Sequence, residues 1–498
     1  MYKLLLIFKY LRKRRIAWVS LIAVTLCTAM VLVVISVMGG WLRMFREINH
    51  GLVGDVVIRH KYNGPVDYVP ILAELRKLPQ VKAAIPMIDT YGVINVDDQI
   101  HDAVQVEAFG DLDQVGDVNS FKRGLYRQTI QPIADIDADP KLSAQQKADA
   151  IKQIQSRPPT FDKPLDPQAY RDIMFNSKID VSKWPGIIVG SGVIGIKKDD
   201  NGVETGRENM YTAWVQLSVL GMGTNRSDED LSQRTSTRTY WIVDDCRTKF
   251  YPTDFRTVYV PFEYLQKDLG MDAQPYTEKI GDKTIQGVEP ATCSEIQIAL
   301  ADGVDPDAGL AAIQKVVAGF QPNDTTIPLV DTLVAEPWEQ RQAQFLGAVE
   351  KEEGLLTILF GIISIVAIFL VFCIFFMIVV EKTRDIGVIK SVGATSWGVA
   401  QIFLGYGLSI GILGAGLGLL TAYEIVHNIN ELHAWMGRAL HVRIWDPETY
   451  AFDTIPNTMD HHDVAWIVSI AVLSALLGAV IPAIVAARKH PVDALRWE

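Results

Sequence analysis

The sequence lacks the motifs that several large classes of enzyme require. It has no G-x-x-x-x-G-K-[S/T] segment, so it has no phosphate-binding loop of the kind that holds ATP. No nucleophile elbow and no pair of carboxylates in a catalytic setting is recognisable. We therefore expect a protein that is not an enzyme, does not hydrolyse ATP itself and binds no cofactor or metal.

Charged residues are absent from four long stretches of the chain. They cover residues 16–38, 354–380, 399–423 and 464–487. A membrane core of about 30 Å is crossed by about 20 helical residues, so each stretch is long enough to span it. Helices of soluble proteins usually keep a polar face, and these stretches have none. The sequence predicts four transmembrane helices.

The first of these stretches follows a basic segment, as the apolar region of a signal peptide does. It is too long for such a region, and no small-x-small cleavage site ends it. We interpret it as a retained first span.

The positions of Lys and Arg near the span ends predict the orientation. Segments 1–15, 381–398 and 488–498 hold twelve of these residues in 44 positions, whereas the 424–463 loop holds two in 40. Because basic flanks stay inside, both termini and the 381–398 loop should be cytoplasmic. Segment 39–353 and the 424–463 loop should then be extracytoplasmic.

Net charge follows the same division and limits the partners. The segments assigned to the cytoplasm carry +8, which leaves −19 for the rest of a chain whose total is −11. Such an acidic exterior argues against nucleic-acid partners. The basic N-terminus is suited to the anionic headgroups of the bilayer.

Segment 39–353 is predicted to be an α+β domain inserted between helices 1 and 2. Strands are expected at 55–60, 81–96, 187–190, 212–220, 240–243, 257–260, 295–300 and 326–330, and helices at 67–78 and 307–320. We divide it into a split subdomain (50–116 and 290–335), a central β-rich part (186–289), an insertion (117–185) and a stalk (339–353). The insertion, with a polar helix at 143–155, is expected to lie at the surface. A hairpin tip is expected at 198–210, and Gly39-Gly40 should interrupt the first helix.

Two further patterns suggest binding sites that we consider weak. Residues 190–195 read G-x-G-x-x-G, but Lys197 to Asn201 follow where a dinucleotide site needs a helix, so a glycine-rich strand and turn is favoured. His461 and His462 have no third metal ligand nearby in sequence. Cys246 and Cys293 both fall in the extracytoplasmic domain, where a disulfide is permitted but not required.

The cytoplasmic loop and the third span contain the most informative patterns. In 381–397, Ile386, Ile389 and Val392 recur at helical spacing, which is typical of a short helix that docks in a partner or lies on the membrane. The third span contains the pairs Gly407/Gly411 and Gly414/Gly418, which allow close helix packing in lipid.

The loop E-K-T-R-D-I-G-V-I-K-S-V-G-A-T-S-W at 381–397 resembles the signature of bacterial ATP-binding-cassette (ABC) permeases with four spans and a large outer domain. The ending P-A-I-V-A-A-R-K-H-P-V-D-A-L-R-W-E is similar to the ending of that family. The segments S-V-M-G-G at 36–40 and 450–464 resemble its Lol-type, lipoprotein-releasing branch. Other branches are macrolide exporters and cell-division permeases.

The resemblance implies a location in the bacterial inner membrane and a cytoplasmic ABC ATPase subunit, which would supply ATP and Mg²⁺ binding. It also implies a second permease, identical or different. It also implies that the 381–398 helix couples the two kinds of subunit. The residues carried over to this role are Glu381, Lys382, Arg384, Asp385, Ile386, Gly387, Lys390, Gly393 and Ala394.

The apolar spans favour an acylated cargo over an ion or a polar solute, because they contain no buried charge. A substrate path is predicted at the extracytoplasmic ends of the first and second spans, lined by Val33, Val37, Met38, Leu355, Leu356 and Leu359. The expected function is lipoprotein extraction and transfer to a soluble periplasmic carrier. The alternatives are force transmission to a cell-wall hydrolase and efflux in a tripartite exporter.

Overall fold

The structure is a computed structural model. It describes residues 15–96, 100–162, 184–198, 204–205, 211, 213–221, 235–280, 283–320, 333–381, 383–440, 445, 452 and 454–489. The chain divides into two compact units. The helical unit consists of Met1–Phe45, Phe345–Trp445 and Thr454–Glu498, and the sheet unit of Arg46–Gln344 and Asp446–Asp453.

Helices and strands are numbered here in chain order. The α-helices are α1 (Arg15–Val53), α2 (Tyr68–Leu75), α3 (Val115–Val118), α4 (Gln131–Ala138), α5 (Ala144–Ser156), α6 (Tyr251–Arg256), α7 (Phe262–Leu269), α8 (Pro306–Gly319), α9 (Trp338–Arg341), α10 (Ala343–Glu381), α11 (Thr383–Ser391), α12 (Ser396–His427), α13 (Ile429–Leu440) and α14 (His461–Arg488). The strands are β1 (Val56–His60), β2 (Val66–Asp67), β3 (Val81–Val96), β4 (Ile100–Phe109), β5 (Gly186–Gly190), β6 (Lys197–Lys198), β7 (Glu204–Thr205), β8 (Trp214–Leu220), β9 (Thr235–Cys246), β10 (Thr257–Tyr259), β11 (Gln274–Ile280), β12 (Lys283–Glu289), β13 (Thr292–Cys293), β14 (Glu295–Leu300) and β15 (Leu333–Pro337).

Three helices of the described residues are long and apolar enough to cross a membrane. They are Trp18–Val53, which is most of α1, together with Ser396–His427 and His461–Arg488. They contain the first, third and fourth uncharged stretches. The second stretch, 354–380, lies within the 39-residue helix α10, and its role as a fourth span stays a prediction.

Gly39 and Gly40 do not interrupt the first helix, contrary to the sequence-based expectation. Helix α1 continues through both residues to Val53. A Cβ added to Gly40 would lie 2.8 Å from Cβ of Pro456. The glycine therefore serves close packing rather than a chain break, because a helix tolerates glycine at a cost of only about 1 kcal/mol.

The first glycine pair of α12 allows close contact with α14. A Cβ added to Gly407 would lie 2.5 Å from Cβ of Ala479, and one added to Gly411 would lie 3.0 Å from Cβ of Ala475. Real Cβ atoms essentially never approach as closely as the first of these distances. The predicted close packing at this pair is confirmed.

The second glycine pair of α12 faces a different helix, α1. A Cβ added to Gly414 would lie 2.7 Å from Cγ1 of Val24, and one added to Gly418 would lie 2.8 Å from Cβ of Thr28. Helix α12 thus uses small residues on two faces, so both neighbouring helices approach its backbone closely.

The sheet unit is built on a nine-stranded sheet. The strand order is β15-β1-β14-β3-β4-β10-β5-β9-β8, and β8 also pairs with β3, so the strands from β3 to β8 close into a ring. The pairs β4–β10 and β5–β9 are parallel. Both faces are covered, because Ala84 and Ile88 of β3 enter one buried cluster whereas Ile85 and Met87 enter another.

Most of the predicted elements of this unit are confirmed. The strands expected at 55–60, 81–96, 187–190, 212–220, 240–243, 257–260 and 295–300 correspond to β1, β3, β5, β8, β9, β10 and β14, and the two expected helices to α2 and α8. The pairing of β6 with β7 forms the expected hairpin, whose tip lies outside the described residues. The strand predicted at 326–330 also lies outside them. Strands of both parts of the predicted split subdomain and of the predicted central β-rich part join one sheet.

The predicted surface insertion begins inside the core. Val118, Phe121 and Leu125 are buried, and the Phe121 ring centroid lies 4.4 Å from that of Tyr259. The reason is that these apolar side chains cover one face of the sheet. The polar helix expected at 143–155 is confirmed as α5, which opens with a capping box between Ser143 and Gln146. Residues 163–183 lie outside the described part of the chain.

The G-x-G-x-x-G segment is a strand and turn, as the sequence predicts. Strand β5 ends at Gly190, and residues 191–195 form turns without a helix. A Cβ at Gly190 would lie 2.3 Å from the carbonyl oxygen of Asp254, and one at Gly192 would meet the Phe255 ring at the same distance. These glycines therefore accommodate neighbouring parts of the protein.

The stalk predicted at 339–353 is divided between two helices. Helix α9 ends at Arg341, Gln342 separates it from α10, and α10 then continues from Ala343 to Glu381. The break lies between the short helix α9, which directly follows β15, and the long helix α10.

Candidate coupling site

The predicted coupling loop folds as a short helix between two long ones. Helix α11 follows the end of α10 at Glu381, and Thr383 Oγ1 donates a hydrogen bond to the Val379 carbonyl at 3.1 Å. Gly393 has φ +104°, a left-handed conformation that favours glycine and prevents helix continuation. Thr395 then caps α12 by accepting a hydrogen bond from the Gly398 N–H at 3.1 Å.

One face of α11 packs against the long helices. Ile386 is 2% exposed and belongs to a buried cluster with Val379 of α10. The other buried members of that cluster are Val399, Phe403, Ala483 and Ala486, which belong to α12 and α14. Gly387 is buried beside Ile386. Ile386 is the buried side chain that α11 contributes to this cluster, and it joins α11 to three long helices.

Lys390 fixes the same helix to the end of α14. Its Nζ donates to the carbonyl oxygens of Ala487 at 2.6 Å and Lys489 at 2.8 Å. Carbonyls in the last turn of a helix lack partners within the helix, and a lysine ammonium both satisfies them and complements the helix dipole. Lys390 was predicted to take part in coupling to the ATPase, and the sequence did not indicate this intramolecular role.

The loop also exposes apolar side chains, which lie among exposed serine, threonine and charged residues. Arg384 and Val388 are exposed on α11, Val392 is 84% exposed and Trp397 is 67% exposed at the start of α12. We call these four residues the connector face. Exposed apolar side chains near a basic residue are typical of a protein interaction site.

The structure places the predicted coupling residues in several different settings. Ile386, Gly387 and Lys390 face the long helices, so the proposed stripe of Ile386, Ile389 and Val392 is not one docking surface. Gly393 and Ala394 lie in the turn after α11, because the helix ends at Ser391 rather than continuing to 397. Glu381 ends α10 and Asp385 lies in the first turn of α11. Lys382 lies outside the described residues.

The predicted substrate path falls on two helices. Val33, Val37 and Met38 are partly buried on α1, whereas on α10 Leu355 is 68% exposed and Leu359 is 49% exposed. The side chain of Leu356 lies outside the described part. Further along α10, Phe375 and Val379 are fully buried in the helical unit. Near its C-terminal end α10 therefore buries one face, although Met377 is still 58% exposed, whereas its described side chains around Leu355 are exposed.

Cys246 and Cys293 are both free thiols, so the candidate disulfide is not formed in the structure. Each is buried, in a different hydrophobic cluster. Burial raises the pKa of both thiols well above the usual range. They act here as small apolar core residues.

His461 and His462 begin helix α14. The preceding Asp460 caps this helix by accepting a hydrogen bond from the His462 N–H at 2.8 Å. Within the described residues, no three His, Cys, Asp or Glu side chains are grouped as metal ligands.

Comparison with known proteins finds a match within the helical unit. Residues 357–491, which include most of α10 and all of α11 to α14, match the family model "FtsX-like permease C-terminal". The chain resembles Lol-type, FtsX-like ABC permeases. This agrees with the resemblance seen in the loop and the C-terminal motif.

Curated relatives support the same resemblance. The lipoprotein-releasing system transmembrane protein LolC of Neisseria meningitidis is 27% identical over 168 residues, which are 34% of this chain and 40% of the relative. LolC of Xylella fastidiosa strain 9a5c is 24% identical over 35% of this chain and 42% of the relative. LolE of Haemophilus influenzae is 25% identical over 26% of this chain and 31% of the relative. The chain thus covers about two fifths or less of these relatives.

A solved structure of the periplasmic region of MacB from Actinobacillus actinomycetemcomitans also matches. The match covers 59% of this chain and 94% of that one, at 10% identity and a TM-score of 0.27. This TM-score is too low to indicate a shared fold.

Proposed function

We propose that this chain is the permease subunit of an ABC complex, in which a separate ATPase subunit binds the connector face. The observation that carries the proposal is the two-sided loop within the FtsX-like region, with apolar Val388, Val392 and Trp397 exposed and Ile386 and Lys390 turned inward. A partner that contacts one side can displace the helices attached to the other.

The contacts of α11 suggest how such a displacement would spread. Ile386 contacts a cluster that includes side chains of α10, α12 and α14, and Lys390 holds the end of α14. A buried isoleucine contributes about 1.5–3 kcal/mol, and a hydrogen bond from a charged group adds about 1.5–3 kcal/mol when well buried. The loop should therefore move with these helices rather than detach from them.

We further propose that the cargo is a lipoprotein, because the LolC and LolE relatives are named as parts of lipoprotein-releasing systems. Acyl chains against Leu355 and Leu359 would exchange one apolar environment for another, so binding there is nearly neutral in energy. Transfer of the chains into water costs about 0.8 kcal/mol per methylene. ATP hydrolysis and a soluble carrier would both be needed to release the cargo.

The proposal includes a second permease subunit, since relatives of two kinds, LolC and LolE, match this chain. It also retains the orientation predicted from Lys and Arg, with both termini and α11 in the cytoplasm and the sheet unit outside, in an inner membrane.

A charge placed on the connector face tests the proposal. In Val392→Asp, the ATPase subunit should no longer co-purify with the permease and ATP-dependent release should be lost, because an ionised carboxylate would be buried against the partner. Val288→Asp, on β12, is the matched control because Val288 is 68% exposed in the sheet unit. Normal ATPase binding by Val392→Asp would refute the connector assignment.

Crosslinking tests the cargo. A photo-reactive residue at Val37 or Leu355 should capture an acylated protein in intact membranes, and nucleotide should reduce the yield. Capture of phospholipid alone, with an active ATPase in the complex, would favour force transmission to an extracytoplasmic partner instead.

A further inference from the structure

Three carboxylates lie on three adjacent strands of the sheet unit. Glu295 begins β14, Asp89 lies on β3 and Glu107 lies on β4. Asp89 and Glu107 are paired directly across the two antiparallel strands. Like charges directly opposite each other destabilise a sheet, so this arrangement needs compensation.

Arg341 supplies a positive charge to this cluster. Its Nε donates to Oε2 of Glu295 at 3.0 Å, and its guanidinium lies 3.7 Å from Oδ2 of Asp89. The Glu295 side chain is only 6% exposed, and the Arg341 side chain is 35% exposed. The contact is thus a largely buried ion pair, whose loss leaves an unpaired charge in the protein.

Neighbouring amides complete the polar contacts of the cluster. Gln105 donates to Asp89 Oδ1 at 2.9 Å, and Gln297 donates to Glu295 Oε1 at 3.1 Å. Even so, burial and the Glu295 charge raise the pKa of Asp89 to about 6, and burial raises the pKa of Glu107 well above its usual range. The positive charge of Arg341 opposes both shifts.

The position of Arg341 in the chain gives the cluster its significance. Arg341 is the last residue of α9, and α10 begins two residues later at Ala343. Before it, β15 pairs only with β1 in the order of the nine-stranded sheet, at the sheet edge. Arg341 instead contacts β14 and β3, which are the next strands inward.

The other contacts described for this segment are with β1, with the residue before β1, with helix α8 and with the C-terminal part of α1. Glu336 of β15 forms an ion pair with Arg59 of β1, and the Trp338 N–H donates to the Asp55 carbonyl at 3.1 Å. A displacement of α10 carried by these contacts alone would act on the outermost strand pair and on these helices. Arg341 adds a connection to the interior of the sheet.

We propose that Arg341 is a positioning residue that ties the start of α10 to the interior strands, so that a displacement of α10 moves the sheet unit as one body. This inference rests on the proposed function, in which nucleotide moves the helical unit. Without the Arg341 contacts, displacement of α10 would strain the pairing of β15 with β1 and would move the other strands only in part.

The test compares two arginines in the full complex. Arg341→Gln removes the tie, whereas Arg238→Gln removes a similar ion pair elsewhere in the sheet unit, where Arg238 Nε donates to Asp268 Oδ2 at 2.7 Å. The two pairs have nearly equal exposure, 35% and 6% against 31% and 6%. Both variants should lower the thermal stability of the sheet unit similarly.

Of these two variants, only Arg341→Gln should change how efficiently ATP hydrolysis drives the release of cargo. With ATP hydrolysis unaltered, the cargo released per ATP should fall roughly tenfold in Arg341→Gln and stay near wild type in Arg238→Gln. Arg341→Lys should restore part of the release, because it keeps the charge. The same ratio should be measured in Glu295→Gln, which removes the sheet-side partner and replaces Arg341→Gln if that variant does not fold.

The outcomes separate the two levels of the proposal. A wild-type chain that binds no ATPase and shows no nucleotide-dependent release would refute the proposed function. A wild type that works, with Arg341→Gln or Glu295→Gln releasing cargo as efficiently as Arg238→Gln, would overturn the role of Arg341 alone.

Discussion

The contacts inside the helical unit differ in kind from the contacts inside the sheet unit. In the helical unit, uncharged helices approach closely through glycine, as at Gly407 and Gly414. In the sheet unit, a covered sheet contains large buried aromatic side chains and charged clusters such as that of Arg341 and Glu295. Small-residue contacts in lipid have no strong hydrophobic driving force, whereas a close-packed core resists deformation. We therefore expect the helical unit to repack more readily than the sheet unit.

The largest expected effect concerns the aromatic core of the sheet unit. Phe121→Ala should lower the free energy of unfolding by about 3–5 kcal/mol, because its ring is 1% exposed against Phe109 and Tyr259. The control Tyr91→Ala truncates an aromatic side chain that is 75% exposed and should change stability by less than about 0.5 kcal/mol. Chemical unfolding of the full chain measures both. Equal losses would show that residue 121 belongs to a surface insertion after all.

The next effect concerns the helical unit. Gly407→Val should destabilise it by about 1–3 kcal/mol, because its new Cβ would start 2.5 Å from Ala479. Gly416→Val, on the same helix, has no atom within 4 Å of its added Cβ and serves as the control. Thermal denaturation in lipid nanodiscs compares the two variants. Equal thermal stability of the two variants would show that close packing at Gly407 does not stabilise the helical unit.

The smallest effect is a pH dependence confined to the sheet unit. The pKa of Asp89 is raised from its usual 3.8 to about 6, so between these values the folded state binds more protons than the unfolded state. Its contribution therefore lowers stability as pH rises through this window and is constant above about pH 6. Hydrogen exchange of β3 amides, corrected for intrinsic rates, should show a flatter profile in Asp89→Asn. An unchanged profile would assign the dependence to another group, such as Asp244, whose pKa burial also raises to about 6.

Much of the architecture follows from sequence patterns, because hydrophobic periodicity and charge-free runs are local signals. Strand β14 and helix α5 were predicted almost residue for residue. The pattern at Gly39-Gly40 was misleading because the sequence does not show that Pro456 packs there. The insertion was misjudged for the same reason, since Phe121 meets Tyr259 across more than a hundred residues.

The candidate site was only partly predictable. The loop 381–398 was located from its motif and flanking spans, but periodicity could not tell that Ile386 faces the helices while Val388 faces outward. The Lys390 anchor and the Arg341 cluster depend on contacts distant in sequence. One signal in the sequence could have indicated the Arg341 cluster. Glu295 and Gln297 are two polar residues at alternate positions of a buried strand.

The most direct test of the central claim is site-specific crosslinking on α11 in intact membranes. A photo-reactive residue at Val388, which is 48% exposed, should capture the ATPase subunit, whereas one at Ile386, which is 2% exposed, should capture only the permease itself. The account would be contradicted if Val388 captured only lipid or permease in a complex that contains an active ATPase.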